Sequence, residues 1–406
     1  MTRRAVITGV GLHTPLGSDA GAVFDRILAN DSGVVAMPEW SAIEGLESRI
    51  AAPVLDFTGS HLRRTARRTM GRVALLGASA AAEAARAAGL TEAVLTSERT
   101  AVVAGSTSGS SQAMHEFWTD LAHEPTTRGL RATLFFQAMA HTVAANIALL
   151  LGIPGELIST NSACASSNQA IGVALERIRL GKADVVLAGG AEELHVSSVI
   201  IFDGLGAATR GHNRTPELAP RPFDRRRDGI VVGEGAGILV VEELAHARRR
   251  GATILAEVKG YGTTCDAAHM AGARPEGMQR AIERCLADAR VPASEVDYIN
   301  AHATGTTAGD ASEAEALHRL FGSSVAISSS KGHLGHTLGA CGAIEAAVCL
   351  EAMRRGVIPP TRGLEEPDVA ALDLLQQPRE ARMRHVLTTN FAFGGVNSVL
   401  MFGVPA

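Results

Sequence analysis

The sequence predicts an α/β protein with mostly parallel sheets covered by helices. Short apolar runs of strand length alternate with helix-length segments along the whole chain, as in such folds. The chain has 406 residues, of which 46% are hydrophobic and 20% charged, so it can bury a large core. Because only 4% are aromatic, that core must be built mainly from small and aliphatic side chains.

The first half of the chain opens with a strand and then alternates. Apolar runs predict strands over 4–10, 100–106, 156–160, 184–190 and 237–243. Helical spacing predicts helices over 71–89, 139–151, 165–180 and 244–250. The second of these helices is expected to end at Gly152 and Pro154.

The second half repeats this rhythm. Strands are expected over 253–258, 297–301, 325–329, 385–390 and 397–402, and helices over 276–289, 311–320 and 340–355. No low-complexity linker separates the halves, and the junction is expected near 245–250. We therefore divide the chain into residues 1–250 and 251–406.

Composition excludes several classes of protein. The net charge of -4 argues against a general nucleic-acid binder. No stretch approaches the about 18 consecutive apolar residues of a membrane span, and the N-terminus lacks a signal-peptide pattern. The five cysteines form no C-x-x-C or zinc pattern. We expect a reduced cytoplasmic enzyme without a metal site.

Cys164 is the strongest candidate nucleophile. It lies between a predicted strand and a predicted helix, in Thr160-Asn-Ser-Ala-Cys-Ala-Ser-Ser-Asn168. A helix N-terminus favours a thiolate, and the small neighbours let a substrate approach. Cys285 and Cys349 are interpreted as ordinary buried thiols.

Two histidines follow predicted strands in the second half. His302 ends a strand, and His336 lies in a Gly-rich turn after Lys331, one of only three lysines. The carboxyl ends of strands are where open α/β sheets hold their sites. A thiol with two neutral imidazoles suits acyl transfer coupled to carbanion chemistry. His333 competes with His336, and spacing alone does not decide between them.

Several separated motifs follow one another along the chain. They are the RAVITGVG start, Ser162-Ala-Cys-Ala-Ser, Ala188-Gly-Gly-Ala-Glu-Glu, Pro222-Phe-Asp…Arg227-Asp-Gly, Gly233-Glu-Gly-Ala-Gly, His302-x-Thr-Gly-Thr, Lys331-x4-His336 and the Asn-Phe-x-Phe-Gly-Gly-x-Asn end. Taken together, these motifs resemble an elongating β-ketoacyl-acyl carrier protein synthase of type I or II, in the thiolase superfamily. The likeness covers essentially the whole chain, and it implies a thiolase-like fold with two similar halves in a layered αβαβα core.

The resemblance implies roles for five catalytic residues. Cys164 accepts the acyl group, and His302 and His336 bind the malonyl thioester oxygen and promote decarboxylation. His336 is chosen because the family's second histidine stands five residues after the lysine. Lys331 organises the site, paired with Glu345. No cofactor is implied, because the substrates arrive on phosphopantetheine.

The resemblance also implies which residues surround the substrate. Backbone N–H groups of Cys164 and Phe393 form the oxyanion hole, and Phe393 gates the acyl group. Thr304 and Thr306 bind the phosphopantetheine arm, and Ser108 aligns with the acyl pocket at the dimer interface. An acidic acyl carrier protein would dock on a basic patch. The patch residues are Arg63, Arg64, Arg67 and Arg68, in a helical-looking stretch, with Arg128 and Arg131.

Related classes fit less well. Thiolases carry a second cysteine where this chain has Phe393-Gly-Gly, priming synthases use Cys-His-Asn, and chain-length factors lack the nucleophile. Departures from the family pattern at Ala303, Thr307, Ala392 and His333 leave the substrate open. Fatty-acid elongation by a homodimer is the main hypothesis. The alternatives are a type II polyketide or aryl polyene ketosynthase with a chain-length-factor-like partner, and a catalytically silent heterodimer subunit.

Overall fold

The computed structural model describes residues 3–369 and 371–405. The α-helices are α1 (Ala20–Leu28), α2 (Arg72–Ala87), α3 (Glu92–Leu95), α4 (Ser111–His123), α5 (Thr133–Ala138), α6 (Thr142–Leu151), α7 (Ser166–Arg179), α8 (Val196–Gly204), α9 (Leu244–Arg249), α10 (Pro275–Ala289), α11 (Thr307–Phe321), α12 (Lys331–Leu334) and α13 (Cys341–Arg355). The strands are β1 (Ala5–His13), β2 (Val35–Ala36), β3 (Ile50–Ala51), β4 (Thr100–Gly105), β5 (Leu157–Ile158), β6 (Val185–Glu192), β7 (Gly235–Glu243), β8 (Ala256–Cys265), β9 (Tyr298–Asn300), β10 (Ala326–Ser328), β11 (Val357–Ile358), β12 (Asp373–Leu374), β13 (Arg379–Glu380), β14 (His385–Ala392) and β15 (Val396–Gly403). Over these residues, no helix has both the length and the apolarity to cross a membrane.

The strand order repeats between the two halves of the chain. The first half has the order β5-β4-β6-β7-β1 from the outer edge inwards, and the second has the matching order β10-β9-β14-β15-β8, with β12 added outside β10 as the edge strand. In each half the first three strands are parallel, and the fourth is antiparallel to both neighbours. β1 also pairs with β8 at Ala5–Ile7, which joins the strands into one 11-stranded sheet. The expectation of two similar halves is confirmed, and the division at residue 250 stays a prediction.

The helices complete five layers. α7 and α13 lie in the middle and contact strands of both halves. α2, with α6 packed on it, covers the first half on the outside, and α10, with α11 packed on it, covers the second. Their buried faces are rich in alanine, so helices and strands approach closely. The predicted αβαβα layering is therefore confirmed, and it brings the carboxyl ends of β9 and β14 close to the start of α7.

The predicted helical stretch over Arg63–Arg68 is wrong. The chain there forms only a short 3-10 helix, Ala66–Thr69, which ends before the buried Met70. Few apolar residues in this segment can pack a longer helix against the core, and Gly71 then caps α2. Six helices were not predicted from the sequence. They are α1, α3, α4, α5, α8 and α12.

Replacing Gly11 by alanine is expected to destabilise the protein by about 1–3 kcal/mol, because the new methyl group overpacks the contact between β1 and α2. A Cβ at Gly11 would lie 2.0 Å from the carbonyl oxygen of Ala80, a backbone atom that cannot rotate away. Gly204→Ala is the control, since a Cβ there meets nothing within 4 Å. Urea unfolding of both variants tests this, and equal midpoints would contradict the close packing of α2 on β1.

Candidate active site

Three reactive side chains from distant parts of the chain meet at one point. Cys164 lies in a 3-10 turn (Ala163–Ala165) directly before α7, His302 follows β9, and His336 follows α12. The sulfur and one nitrogen of each imidazole lie within 4.8 Å of one another. His336 Nε2 lies 2.9 Å from Cys164 Sγ, and the two imidazole rings are 5.2 Å apart. The structure therefore brings together the cysteine and both histidines that the resemblance implies.

The turn that holds Cys164 is fixed by hydrogen bonds. Ala163 adopts a positive φ of 48°, and the Ser166 hydroxyl donates to the Ala163 carbonyl at 2.7 Å. The same hydroxyl accepts from the Ser162 N–H at 2.9 Å. A backbone held away from its common conformations in this way is typical of functional positions. The turn holds the thiol against His336 Nε2.

The expectation that Cys164 rests as a thiolate differs from what the structure shows. Burial raises the pKa of its thiol to about 12, and the charge of Lys331 lowers it only in part. Cys164 directly precedes Ala165, the N-cap of α7, so the helix dipole favours a thiolate there, but burial outweighs it. At neutral pH the side chain is a thiol, and His336 is the adjacent base.

Lys331 and Glu345 form a buried ion pair, as the resemblance implies. The Lys331 ammonium contacts Glu345 Oε1, and both side chains are about 1% exposed. Burial lowers the pKa of His302 and His336 well below the usual range, and the nearby Lys331 charge lowers both further. Both imidazoles are therefore neutral, and each has one ring N–H that can donate a hydrogen bond to a thioester oxygen.

A cavity of about 430 Å³ leads to the triad. Its lining includes Phe393, Thr304 and Thr306 together with Cys164 and both histidines. Thr304 is buried and Thr306 is half-buried, and their hydroxyls are 3.1 Å apart. The two side chains therefore line the cavity from its more exposed part towards its buried part. Phe393 is 39% exposed, and its ring lies 5.6 Å from that of Phe202. Phe393 therefore lines the cavity with its ring partly open to solvent, and its role as a gate stays a prediction.

The same three side chains have the spacing of a metal site. In the described ranges, one group of histidine, cysteine or carboxylate side chains is close enough to share a metal ion, and its members are Cys164, His302 and His336. Their thiol is protonated, and the Lys331 charge acts on all three. An ammonium this close opposes a second cation. The donor set therefore fits a nucleophilic site better than a metal centre.

Two other residues singled out from the sequence lie apart from the triad. Ser108 is exposed and does not line the cavity, so its role in the acyl pocket stays a prediction. His333 is fully buried, with its ring nitrogens 3.0 Å from the Asp31 carbonyl oxygen and 3.2 Å from that of Pro360. Burial lowers its pKa to about 4. The structure thus resolves the choice between the two histidines in favour of His336.

The arginines of the expected docking patch lie on the surface. Five are exposed and Arg67 is half-buried. α5 packs against the 3-10 helix Ala66–Thr69, so the two arginine-bearing stretches are neighbours. Arg131 forms an ion pair with Glu116. The exposed members are Arg63, Arg64, Arg68, Arg128 and Arg131.

Sequence reasoning missed buried polar groups behind the triad. Glu313 accepts hydrogen bonds from the N–H groups of His302 and Ala303 at 2.8 and 2.7 Å. Cys341 donates its thiol hydrogen to the Cys164 carbonyl at 3.2 Å. Asn390 contacts Glu345 and His302. The position of Glu313 on a helix directly after the His302 motif was one available signal, and the place of Asn390 at the start of the Asn-Phe-x-Phe-Gly-Gly-x-Asn motif was another, whereas Cys341 gave none.

Known proteins resemble this chain along its whole length. Residues 2–247 match the N-terminal domain of beta-ketoacyl synthases and residues 255–365 match the C-terminal domain. The 3-oxoacyl-[acyl-carrier-protein] synthase 1 of Haemophilus influenzae is 38% identical, over 98% of each chain. Nodulation protein E of Rhizobium meliloti is 37% identical, over 99% of each chain.

Solved structures agree with the sequence matches. A beta-ketoacyl synthase from Burkholderia phymatum has a TM-score of 0.96 and 41% identity, with both chains covered completely. The ishigamide ketosynthase/chain length factor has a TM-score of 0.94 and 34% identity, again with complete coverage. The thiolase-like fold is thereby confirmed. Together with the assembled cysteine and histidines, these matches show that the chain is an acyltransferase that belongs to the beta-ketoacyl synthase family.

Proposed function

We propose that this chain elongates an acyl group by decarboxylative Claisen condensation with malonyl-acyl carrier protein, in fatty-acid synthesis. The observation that carries the proposal is the 2.9 Å contact between Cys164 Sγ and His336 Nε2, with the His302 ring beside it. This arrangement offers a nucleophile, a base and hydrogen-bond donors in one buried place.

In the first half-reaction, the Cys164 sulfur attacks the thioester carbonyl of the acyl carrier protein. Its proton passes to His336 Nε2 and then to the departing phosphopantetheine thiolate. Backbone N–H groups of Cys164 and Phe393 stabilise the tetrahedral oxyanion, since both residues line the cavity. The product is an acyl-Cys164 thioester and a free carrier thiol.

In the second half-reaction, the malonyl thioester oxygen accepts hydrogen bonds from His302 and from His336, whose single ring hydrogen has by then moved from Nδ1 to Nε2. Loss of CO2 leaves the electron pair of the broken carbon–carbon bond as an enolate, which the neutral imidazoles stabilise. The enolate carbon attacks the acyl carbonyl, and collapse of the adduct expels the Cys164 thiolate, which takes one proton from water to restore the thiol. Each electron pair moves between named atoms and no net oxidation occurs, so the proposed reaction needs no metal or redox cofactor.

The carrier protein is proposed to bind at the exposed arginines. Carrier proteins of this type are acidic, and a local basic field speeds their encounter even though the net charge of this chain is -4. Thr304 and Thr306 line the cavity and would hold the phosphopantetheine arm.

Reversing two of these charges, in Arg64→Glu with Arg68→Glu, is expected to raise the KM for the acyl carrier protein about tenfold. The KM for a small acyl-pantetheine thioester should not change, because that substrate does not reach the patch. Arg382→Glu is the matched control, an exposed arginine elsewhere in the chain. A parallel rise for both substrates would mean that the substitutions damage the site itself and that the patch does not dock the carrier.

We propose that the working enzyme is a dimer. β5 lies at one edge of the sheet, and exposed leucines, Leu149 and Leu157, lie on α6 and β5. Apolar side chains beside an open strand edge are commonly covered by another chain. A homodimer fits fatty-acid elongation, whereas a chain-length-factor-like partner fits the polyketide or aryl polyene alternative. The likeness to the ishigamide ketosynthase/chain length factor keeps that alternative open, while the intact Cys164, His302 and His336 argue against a silent subunit.

Intact-mass spectrometry after incubation with acylated carrier proteins tests these proposals. Saturated, unsaturated and aryl-polyene acyl groups are compared, with Cys164→Ala as the control that cannot be acylated. Loading of saturated chains of several lengths supports fatty-acid elongation, and loading of conjugated chains alone supports the polyketide alternative. Loading only after a second subunit is added indicates an obligate heterodimer. No loading under any of these conditions would contradict the role of Cys164.

A further inference from the structure

Asn390 is a buried amide that joins the ion pair to one of the two histidines. It is fully buried on β14. Its Nδ2 donates to Glu345 Oε2 at 2.8 Å and lies 3.3 Å from His302 Nδ1. Glu345 Oε1 in turn contacts the Lys331 ammonium. One side chain therefore contacts both the Lys331–Glu345 pair and an imidazole of the site.

The carboxylate of Glu345 decides which way the amide faces. With the amide reversed, its oxygen would lie against Glu345 Oε2, and two acceptors would face each other without a hydrogen. In the observed orientation the amide oxygen lies over Gly342, where it has no hydrogen-bond partner in the described part of the chain. Leaving that oxygen unpaired costs less than opposing it to a carboxylate. Nδ2 must therefore face Glu345 and His302.

The two hydrogens of Nδ2 then have distinct acceptors. One points to Glu345 Oε2, and the other faces His302 Nδ1 and Cys341 Sγ, both at 3.3 Å. A thiol sulfur is a weak acceptor, so the imidazole nitrogen is the stronger partner. His302 is neutral and has a single ring hydrogen. Since Nδ1 accepts from Asn390, that hydrogen lies on Nε2.

From this geometry we infer that Asn390 is a positioning residue that fixes the tautomer of His302 for decarboxylation. With the hydrogen on Nε2, His302 donates to the malonyl thioester oxygen as enolate charge develops. The inference deepens the proposed function and rests on it. Acylation of Cys164 does not depend on this hydrogen, because His336 is the base in contact with the sulfur. Asn390 should therefore affect one half-reaction and spare the other.

The test separates the two half-reactions in two variants and one control. Asn390→Asp replaces the donor with an atom that accepts, and Asn390→Ala removes it without adding charge. Thr388→Val is the matched control, because Thr388 is equally buried on the same strand and its hydroxyl has no hydrogen-bond partner among the described residues. We expect both Asn390 variants to decarboxylate malonyl carrier protein about 10²–10⁴ times more slowly. Acylation of Cys164 should stay within about threefold of the unchanged protein, and Thr388→Val should match it in both reactions.

Nitrogen NMR of the histidine rings reports the tautomer of His302 directly, and a packing defect alone would not change that tautomer. The His302 resonances are assigned by their loss in His302→Gln. We expect the unprotonated ring nitrogen to be Nδ1 in the unchanged protein and Nε2 in Asn390→Asp. An unchanged tautomer, decarboxylation equal to that of Thr388→Val, or an equal loss of both half-reactions would overturn the inference. If the unchanged protein neither acylates Cys164 nor decarboxylates the malonyl donor, the proposed function fails, and the tautomer measurement alone decides what Asn390 does.

Discussion

Replacing Lys331 by methionine is expected to lower the free energy of unfolding by about 3–5 kcal/mol. The substitution leaves the Glu345 carboxylate buried without its counter-charge, and an uncompensated buried charge is among the most costly defects a protein can carry. Glu345 is 1% exposed and, among the residues that the structure describes, retains only the amide of Asn390 as a hydrogen-bond donor. Urea unfolding measures the loss, with Lys182→Met as the exposed-lysine control.

Removing both partners separates stability from catalysis. Lys331→Met combined with Glu345→Leu leaves no buried charge, so the double variant should recover most of the lost stability. Its condensation activity should remain low, because the Lys331 charge lowers the pKa of the Cys164 thiol and of both imidazoles. Recovery of both stability and activity would mean that the pair only fills space. A single variant as stable as Lys182→Met would contradict the burial of an ion pair.

Prediction from the sequence was most accurate where apolar residues recurred with helical periodicity and a glycine marked the end of the helix. The helix expected over 340–355 is α13, Cys341–Arg355, and the one expected over 165–180 is α7, Ser166–Arg179. Gly152 ends α6 in a left-handed conformation, as its place after an apolar helical run indicates. α8 escaped prediction because its apolar residues do not form one face. Ile200 and Ile201 are both exposed.

The candidate site was predictable only in part. The strand ends indicated Cys164 and His302, and the resemblance selected His336 over His333. The electrostatics could not be predicted in the same way, because burial is a property of the assembled layers. A sequence places Cys164 near a helix N-terminus, whereas the fold encloses it and raises the pKa of its thiol. The role of Asn390 was missed for the same reason, since its partners come from two other segments of the chain, the His302 turn and α13.

Because burial keeps Cys164 a thiol at neutral pH, its acylation should depend on the base beside it. His336→Ala should slow acylation of Cys164 by at least about 10²-fold at pH 7, because it removes the base in contact with the thiol. Without that base, the rate should follow the thiolate fraction and rise about tenfold per pH unit towards the thiol pKa of about 12. The unchanged protein should show no such rise above pH 7. Burial keeps the pKa of His336 well below its usual value, so the imidazole is already an unprotonated base there.

Acylation rates measured by rapid quench and intact mass between pH 7 and 9 decide between these causes. His333→Asn is the matched control, since this neighbouring buried histidine contacts carbonyl oxygens and not the sulfur. Its pH profile should stay flat even if the substitution costs stability. A flat profile and an unchanged rate in His336→Ala would show that the N–H groups at the start of α7 hold a thiolate without help. The nucleophile would then be activated by the turn that carries it, and the imidazole in contact with the sulfur would serve only the malonyl half-reaction.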